Sequence, residues 1–224
     1  MPEILVVTRP GSSALTVAGA MAGILRAEVS AVEPACVLSA LRRPEVVLGV
    51  LDREPSPRSG TWRVATEAGK PVVLVPRDRL LAPMISRVLV PLDGTPESAS
   101  AVTGAMELFA GAGLELVVLH VFDRVTVPPF WDQAAHARRS WEREFRARFC
   151  PPADARVVVR SGTPEDHVNR VAADADVQLI ALGWSQRLDA GRARTVRGTV
   201  RDAEVPVMLV PLAGSELADA RPDP

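Results

Sequence analysis

Hydrophobic and polar positions along this chain fall into two alternating textures. Short runs rich in valine, leucine and isoleucine recur nine times: 3–8 (EILVVT), 28–32 (EVSAV), 45–51 (EVVLGVL), 71–76 (PVVLVP), 87–92 (RVLVPL), 114–122 (LELVVLHVF), 155–160 (ARVVVR), 177–183 (VQLIALG) and 206–211 (PVMLVP). Several are apolar almost throughout, the pattern of strands in a parallel sheet covered by helices on both faces. Longer segments of helical period lie between them. Strand–helix–strand alternation predicts an α/β fold with right-handed crossovers.

Helix starts are marked by local chemistry. Gly94-Thr95-Pro96-Glu97 and Gly162-Thr163-Pro164-Glu165 repeat the same four residues after a strand. Threonine can cap orphan N–H groups, proline suits the first helical position, and glutamate meets the positive end of the helix dipole. A larger repeat is laid over this one. Gly60-Thr61-Trp62-Arg63-Val64-Ala65 leads into PVVLVP, and Gly198-Thr199-Val200-Arg201-Asp202-Ala203 leads into PVMLVP. The shared GTxRxA and PVxLVP, in the same order, mark two related halves. The first half spans 1–79 and is short by one βα element; 80–86 (LLAPMIS) reads as the linker, 87–213 as the second half, and 214–224 as a flexible polar tail. Each half ends in an apolar strand whose edge needs covering, so the halves are expected to pack as a pseudo-dimer, and two chains to associate through a remaining edge.

Composition narrows the function classes. Of 224 residues, 47% are apolar and 24% charged, which is ordinary for a folded chain and leaves no room for long disorder. Residues 1–80 carry 10 basic and 8 acidic side chains and the rest 16 and 19, so neither part has the basic excess of a nucleic-acid footprint. All basic residues but Lys70 are arginine. Cys36 and Cys150 have no metal or redox spacing and fit a reducing compartment. The start, MPEILVVTRPG, does not read as a signal peptide, and Ala14–Leu25 is too short to span a bilayer; no membrane association and a cytoplasmic location are expected.

Several chemistries drop out. Lys70 precedes Pro71 without a P-loop glycine framework. Gly111-Ala112-Gly113 ends a helix before a strand, the reverse of a dinucleotide fingerprint. His120, His136 and His167 lie on separate elements without an i,i+4 partner, which argues against zinc. Gly183-Trp184-Ser185-Gln186-Arg187 imitates a hydrolase nucleophile elbow, but arginine replaces its last glycine and no histidine follows the serine. The stretch reads better as a phosphate loop: Gly183 ends a strand, and Gly198-Thr199 is expected to open the next helix. Residues 187–197 hold 4 arginines in 11 positions against 25 in the whole chain, so the loop is either an anion site or a solvated basic loop. Phe130, Trp131 and Trp141, around WDQAAHARRSWEREFRARF, are core or a partner patch, with burial habits favouring core.

In order, RVLVPLDGTPES, LVVLHVFD, SGTPEDHV, DVQLIALG and RGTVRDAEVPVMLVP make residues 86–212 resemble the universal stress protein domain. The first half resembles a shortened, diverged copy. The resemblance implies two tandem Rossmann-like open parallel-sheet domains, with a nucleotide crevice at the strands' C-terminal ends. It also implies that Asp93 meets the nucleoside and that the backbone of Val121 meets adenine. The phosphates would lie along Gly183, Gly198 and Thr199, flanked by Leu182 and Val200, in a loop of pattern G-x-x-G-x9-G-[ST]. Gln186 takes the second glycine's place, and 11 residues separate it from Gly198; its amide could donate to a phosphate. In the first half Thr8 stands at the acid's place, Gly49 is matched to Gly183, and Arg53, Glu54, Pro55 and Pro57 fill a shortened loop whose prolines lack N–H donors. That half reads as structural.

The resulting expectation is a stress-associated regulatory protein whose second half binds ATP with Mg²⁺. The alternative is a structural or partner-binding relative that has lost the nucleotide. No catalytic constellation is evident, so at most slow ATP hydrolysis is expected.

Overall fold

The computed structural model describes residues 1–212 except 55, 57, 78, 123–134, 151–153 and 189–192, and the backbone alone of 135–137. The tail, Phe130, Trp131, Pro55 and Pro57 therefore lie outside the described residues. In chain order the elements are β1 (Glu3–Val6), α1 (Ala14–Leu25), β2 (Glu28–Ala31), α2 (Val37–Leu41), β3 (Val46–Asp52), α3 (Gly60–Glu67), β4 (Val72–Val75), β5 (Arg87–Pro91), α4 (Pro96–Gly111), β6 (Glu115–Phe122), α5 (Ala135–Phe149), β7 (Arg156–Ser161), α6 (Pro164–Asp174), β8 (Leu179–Trp184), α7 (Ala193–Asp202) and β9 (Val207–Pro211). Each of the nine apolar runs forms a strand.

The strands make one sheet in the order β2-β1-β3-β4-β9-β8-β5-β6-β7, parallel everywhere except between β4 and β9. The halves meet there. Val72 faces Leu209, Val73 faces Met208 and Leu74 faces Val207. Matching positions of the two PVxLVP runs are thus exchanged about the Val73–Met208 pair, the geometry of a two-fold interface within one chain. Each apolar edge that would otherwise present unpaired N–H and C=O groups is covered by its repeat.

Side chains alternate across the sheet. In β6, Leu116 and Val118 join the core under α1, α4 and α5, while Val117 and Leu119 join the core under α2, α3, α6 and α7. Both cores run across both halves, so helices cover both faces, as the near-continuous apolar strands require. Among the described residues no helix is long and apolar enough to cross a membrane.

Two local expectations need correction. Thr95 caps α4, its hydroxyl accepting from the Ser98 N–H at 3.3 Å, but the Thr163 hydroxyl makes no capping bond to α6. The chain is also helical from Ala193, five residues before Gly198-Thr199. Ala193, Val196 and Val200 are buried along α7, and that apolar stripe carries the helix back toward the loop.

Candidate functional site

In the second half, β5 has β6 on one side and β8 on the other. The chain leaves β5 toward β6 and returns through α6 to β8, so the C-terminal ends of β5 and β8 diverge at a topological switch point, where open α/β sheets hold ligands. A crevice of about 270 Å³ opens there. Asp93, Val121, Leu182 and Gly183 line it, together with Arg187 and, from the first turn of α7, Thr195 and Val196.

Asp93 is held by the start of α4. Its Oδ1 accepts from the Thr95 N–H at 3.0 Å and from the Thr95 hydroxyl at 2.6 Å, while that hydroxyl oxygen accepts from Ser98. Gly94, between them, has φ +81°, and a Cβ there would lie 3.1 Å from the His120 ring. Both the turn and the histidine demand glycine. His120 is buried beside Phe122, Trp141 and Phe145, and its Nδ1 lies 2.9 Å from the Leu92 carbonyl. Burial holds its imidazole pKa below the ordinary value, outweighing the opposite pull of that carbonyl and of Asp93.

The other loop residues named from the sequence lie elsewhere. Gly198 is the sixth residue of α7, where an amide N–H bonds the carbonyl four residues back and is not free for an anion. Its missing side chain serves packing, since a Cβ would lie 3.2 Å from the Cβ of Glu165 on α6. Thr199 is wholly buried, and its hydroxyl has no partner. Val200 is buried and, with Gly198, borders a different cavity. Even Gly183 owes its identity to packing, because a Cβ there would lie 3.1 Å from the Ser98 carbonyl oxygen and 3.2 Å from Ala101 Cβ.

Gln186 has φ +59°, in the left-handed region that favours glycine. Its amide crosses to the first half and donates to the carbonyls of Ala65 and Thr66, at 3.1 Å each, at the C-terminal end of α3. Arg53 does the converse, donating to Val200 O at 2.6 Å and Ala203 O at 2.7 Å at the end of α7. Ala65 and Ala203 hold the same place in GTxRxA. Each half thus caps helix carbonyls of the other that have no intrahelical partner. The sequence carries no local signal for this exchange.

Comparison with known proteins agrees with this architecture. Residues 84–211 match the model of the universal stress protein family. The chain belongs to the universal stress protein family. Among solved structures, a universal stress protein from Archaeoglobus fulgidus DSM 4304 is 16% identical with a TM-score of 0.62, covering 95% of this chain and 86% of that one. A putative universal stress protein from Pseudomonas aeruginosa UCBPP-PA14 is 15% identical with a TM-score of 0.59, covering 98% and 87%. At these identities the likeness shows the fold. No curated protein matches the chain.

The second, family-matched half can be used to read the first. Val72 and Val207 are equivalent in PVxLVP; Gly49 pairs with Val72 and Ile180 with Val207, so Gly49 stands at the place of Ile180. Gly183 is therefore matched by Asp52, not by Gly49. Leu5 pairs with Gly49 and Leu89 with Ile180, so Asp93 is matched by Arg9, not by Thr8. Around this first-half counterpart of the universal stress protein crevice the cavity is only about 130 Å³. The Asp52 carboxylate is buried there and accepts from the Ser12 hydroxyl at 2.5 Å. Glu54 accepts from the Thr61 N–H of α3 at 3.3 Å and pairs with Arg9 at 3.2 Å. Burial raises the Glu54 pKa, but the bonds from Thr61 and Arg9 are among the contacts that outweigh it and hold the carboxyl below its ordinary value.

Proposed function

We propose that this universal stress protein is a stress-associated regulatory protein that binds one adenine nucleotide, ATP, in the crevice of its second half. The observation that carries the reading is the contrast between an open switch-point crevice with an anchored acid at its mouth and a first-half counterpart filled by its own charges. Asp93 would meet the ribose, Val121 and Leu182 the base, and Arg187 with the first turn of α7 the phosphates. The apolar walls fit a base and the cation fits a phosphate. Mg²⁺ would arrive with the nucleotide; among the described residues no group of three or more histidine, cysteine or carboxylate ligands stands ready for a metal.

A second reading has its own support. Gln186 is engaged with α3 and Thr199 is sealed in the core, so two residues expected at the phosphates are committed elsewhere. A partner-binding protein without nucleotide would tolerate both. Titration calorimetry with ATP and Mg²⁺ separates the two. One site per chain, weakened by about 1–3 kcal/mol in Asp93→Ala, the scale of a lost charged hydrogen bond, supports the nucleotide reading. No heat at millimolar ATP supports the other.

A further inference from the structure

Between the halves, outside the crevice, lies a groove of about 930 Å³. Arg194, Arg197 and Arg201 border it from α7 at positions i, i+3 and i+7, which places them on one face of the helix over roughly 10 Å. Gly198 sits among them without a side chain to fill the space. Arg53 and Arg77 face them from the first half, and Glu54 and Glu165 are the two carboxylates present. Four of the five guanidinium groups have protein partners. Arg53 caps α7, Arg77 lies 3.5 Å from Glu54, Arg194 lies 3.9 Å from Glu165, and Arg201 lies 2.7 Å from Asp202. Arg197, half-buried, has no partner among the described residues.

We propose that this groove binds a small molecule carrying two or more phosphate groups in series, with Arg197 as the central contact and Arg194 and Arg201 beside it. Guanidinium forks match phosphate oxygens two at a time, and a row of them along a helix suits a linear polyanion. The chain's net charge of −1 makes the positive potential local to the groove, as a small ligand needs and an extended nucleic acid does not. The crevice is approached by other positions of α7, Ala193, Thr195 and Val196. The groove can therefore be tested whatever the crevice binds.

The test is titration calorimetry of the full chain with inorganic tripolyphosphate at low salt. One site per chain is expected, weakened about tenfold or more by Arg197→Gln and less by Arg194→Gln, whose side chain is 72% exposed and already near Glu165. Arg42→Gln removes the same charge from an exposed position away from the groove and should leave affinity within about twofold. Thermal melting of the two α7 variants close to that of the parent shows that folding is not what changed. No heat at millimolar tripolyphosphate overturns the proposal, as does an equal loss from Arg42→Gln and Arg197→Gln. So does a loss from Asp93→Ala as large as that from Arg197→Gln, which would put the anion in the crevice. Tighter binding of a single-stranded oligonucleotide or a hexaglutamate peptide would likewise defeat it.

Discussion

The crevice at the ends of β5 and β8 and its counterpart at the ends of β1 and β3 share a strand order, a GTxRxA helix and a PVxLVP strand, yet different charged side chains stand at equivalent places in their mouths. Where the second half has Asp93, the first has Arg9; where the second has the bare backbone of Gly183, the first has the buried carboxylate of Asp52. Glu54 completes the difference by accepting from the α3 N-terminus and pairing with Arg9 and Arg77, so an internal carboxylate holds the place that an anion would seek. One frame thus serves two ends. An open switch point can take a ligand, while a closed one spends its charges on its own loops and helix start. Fold is common to both; the site is a matter of three side chains.

The largest expected losses lie at the packing glycines. Gly183→Val would drive a side chain into the Ser98 carbonyl and Ala101, and Gly198→Val into Glu165. Each should cost about 1–3 kcal/mol of stability, read as a lowered denaturant midpoint, whereas Gly60, at the first-half place of Gly198, has no atom within 4 Å of a Cβ. If Gly198→Val is as stable as the parent, α6 and α7 do not pack as described.

Next in size is the exchanged capping. Arg53→Ala leaves the Val200 and Ala203 carbonyls without their donor and should cost about 1.5–3 kcal/mol; Gln186→Ala, a neutral donor, should cost about 1 kcal/mol. Because the two act at one joint, the double variant is expected to depart from additivity, and a double-mutant cycle measures by how much. Strict additivity would mean that the joint is not a unit.

Acid should separate the two crevices more gently. His120 has its folded pKa lowered, so its contribution to stability is present above its unfolded value of about 6.5 and is lost as pH falls below it. Unfolding midpoints should drop between pH 7 and pH 5, and the drop should shrink in His120→Gln. An unchanged slope in that variant would assign the acid sensitivity to other groups. Least of all, Gly60→Ala should stabilise the first half by about 0.4–1 kcal/mol, since its φ is not positive and the space is open.

Much of this molecule was legible from local pattern. Nine apolar runs became nine strands, and the GTPE starts of α4 and α6 held because a proline's φ and a preceding glycine turn act within a few residues. The GTxRxA-PVxLVP repeat announced the halves for the same reason. The crevice residues at strand ends, Asp93 and Gly183, were readable because strand order follows from the family's connectivity. Gly198, Thr199 and Gln186 were not, because a motif written as spacings does not say where a helix begins or which way a long side chain turns.

By itself, then, the sequence determined the α/β class, the strand count, the two-half organisation and the acid after β5, all of which rest on interactions between residues close in the chain. Tertiary structure alone decided the register that sets Asp52 against Gly183 and Arg9 against Asp93, the register of the β4–β9 seam, and the reach of Gln186 to a carbonyl 121 residues away. The physical reason is the range of the forces involved. Periodicity and capping are settled within one or two turns, whereas register and long side-chain partners are chosen only when surfaces distant in sequence are pressed together and each buried polar group must find its match.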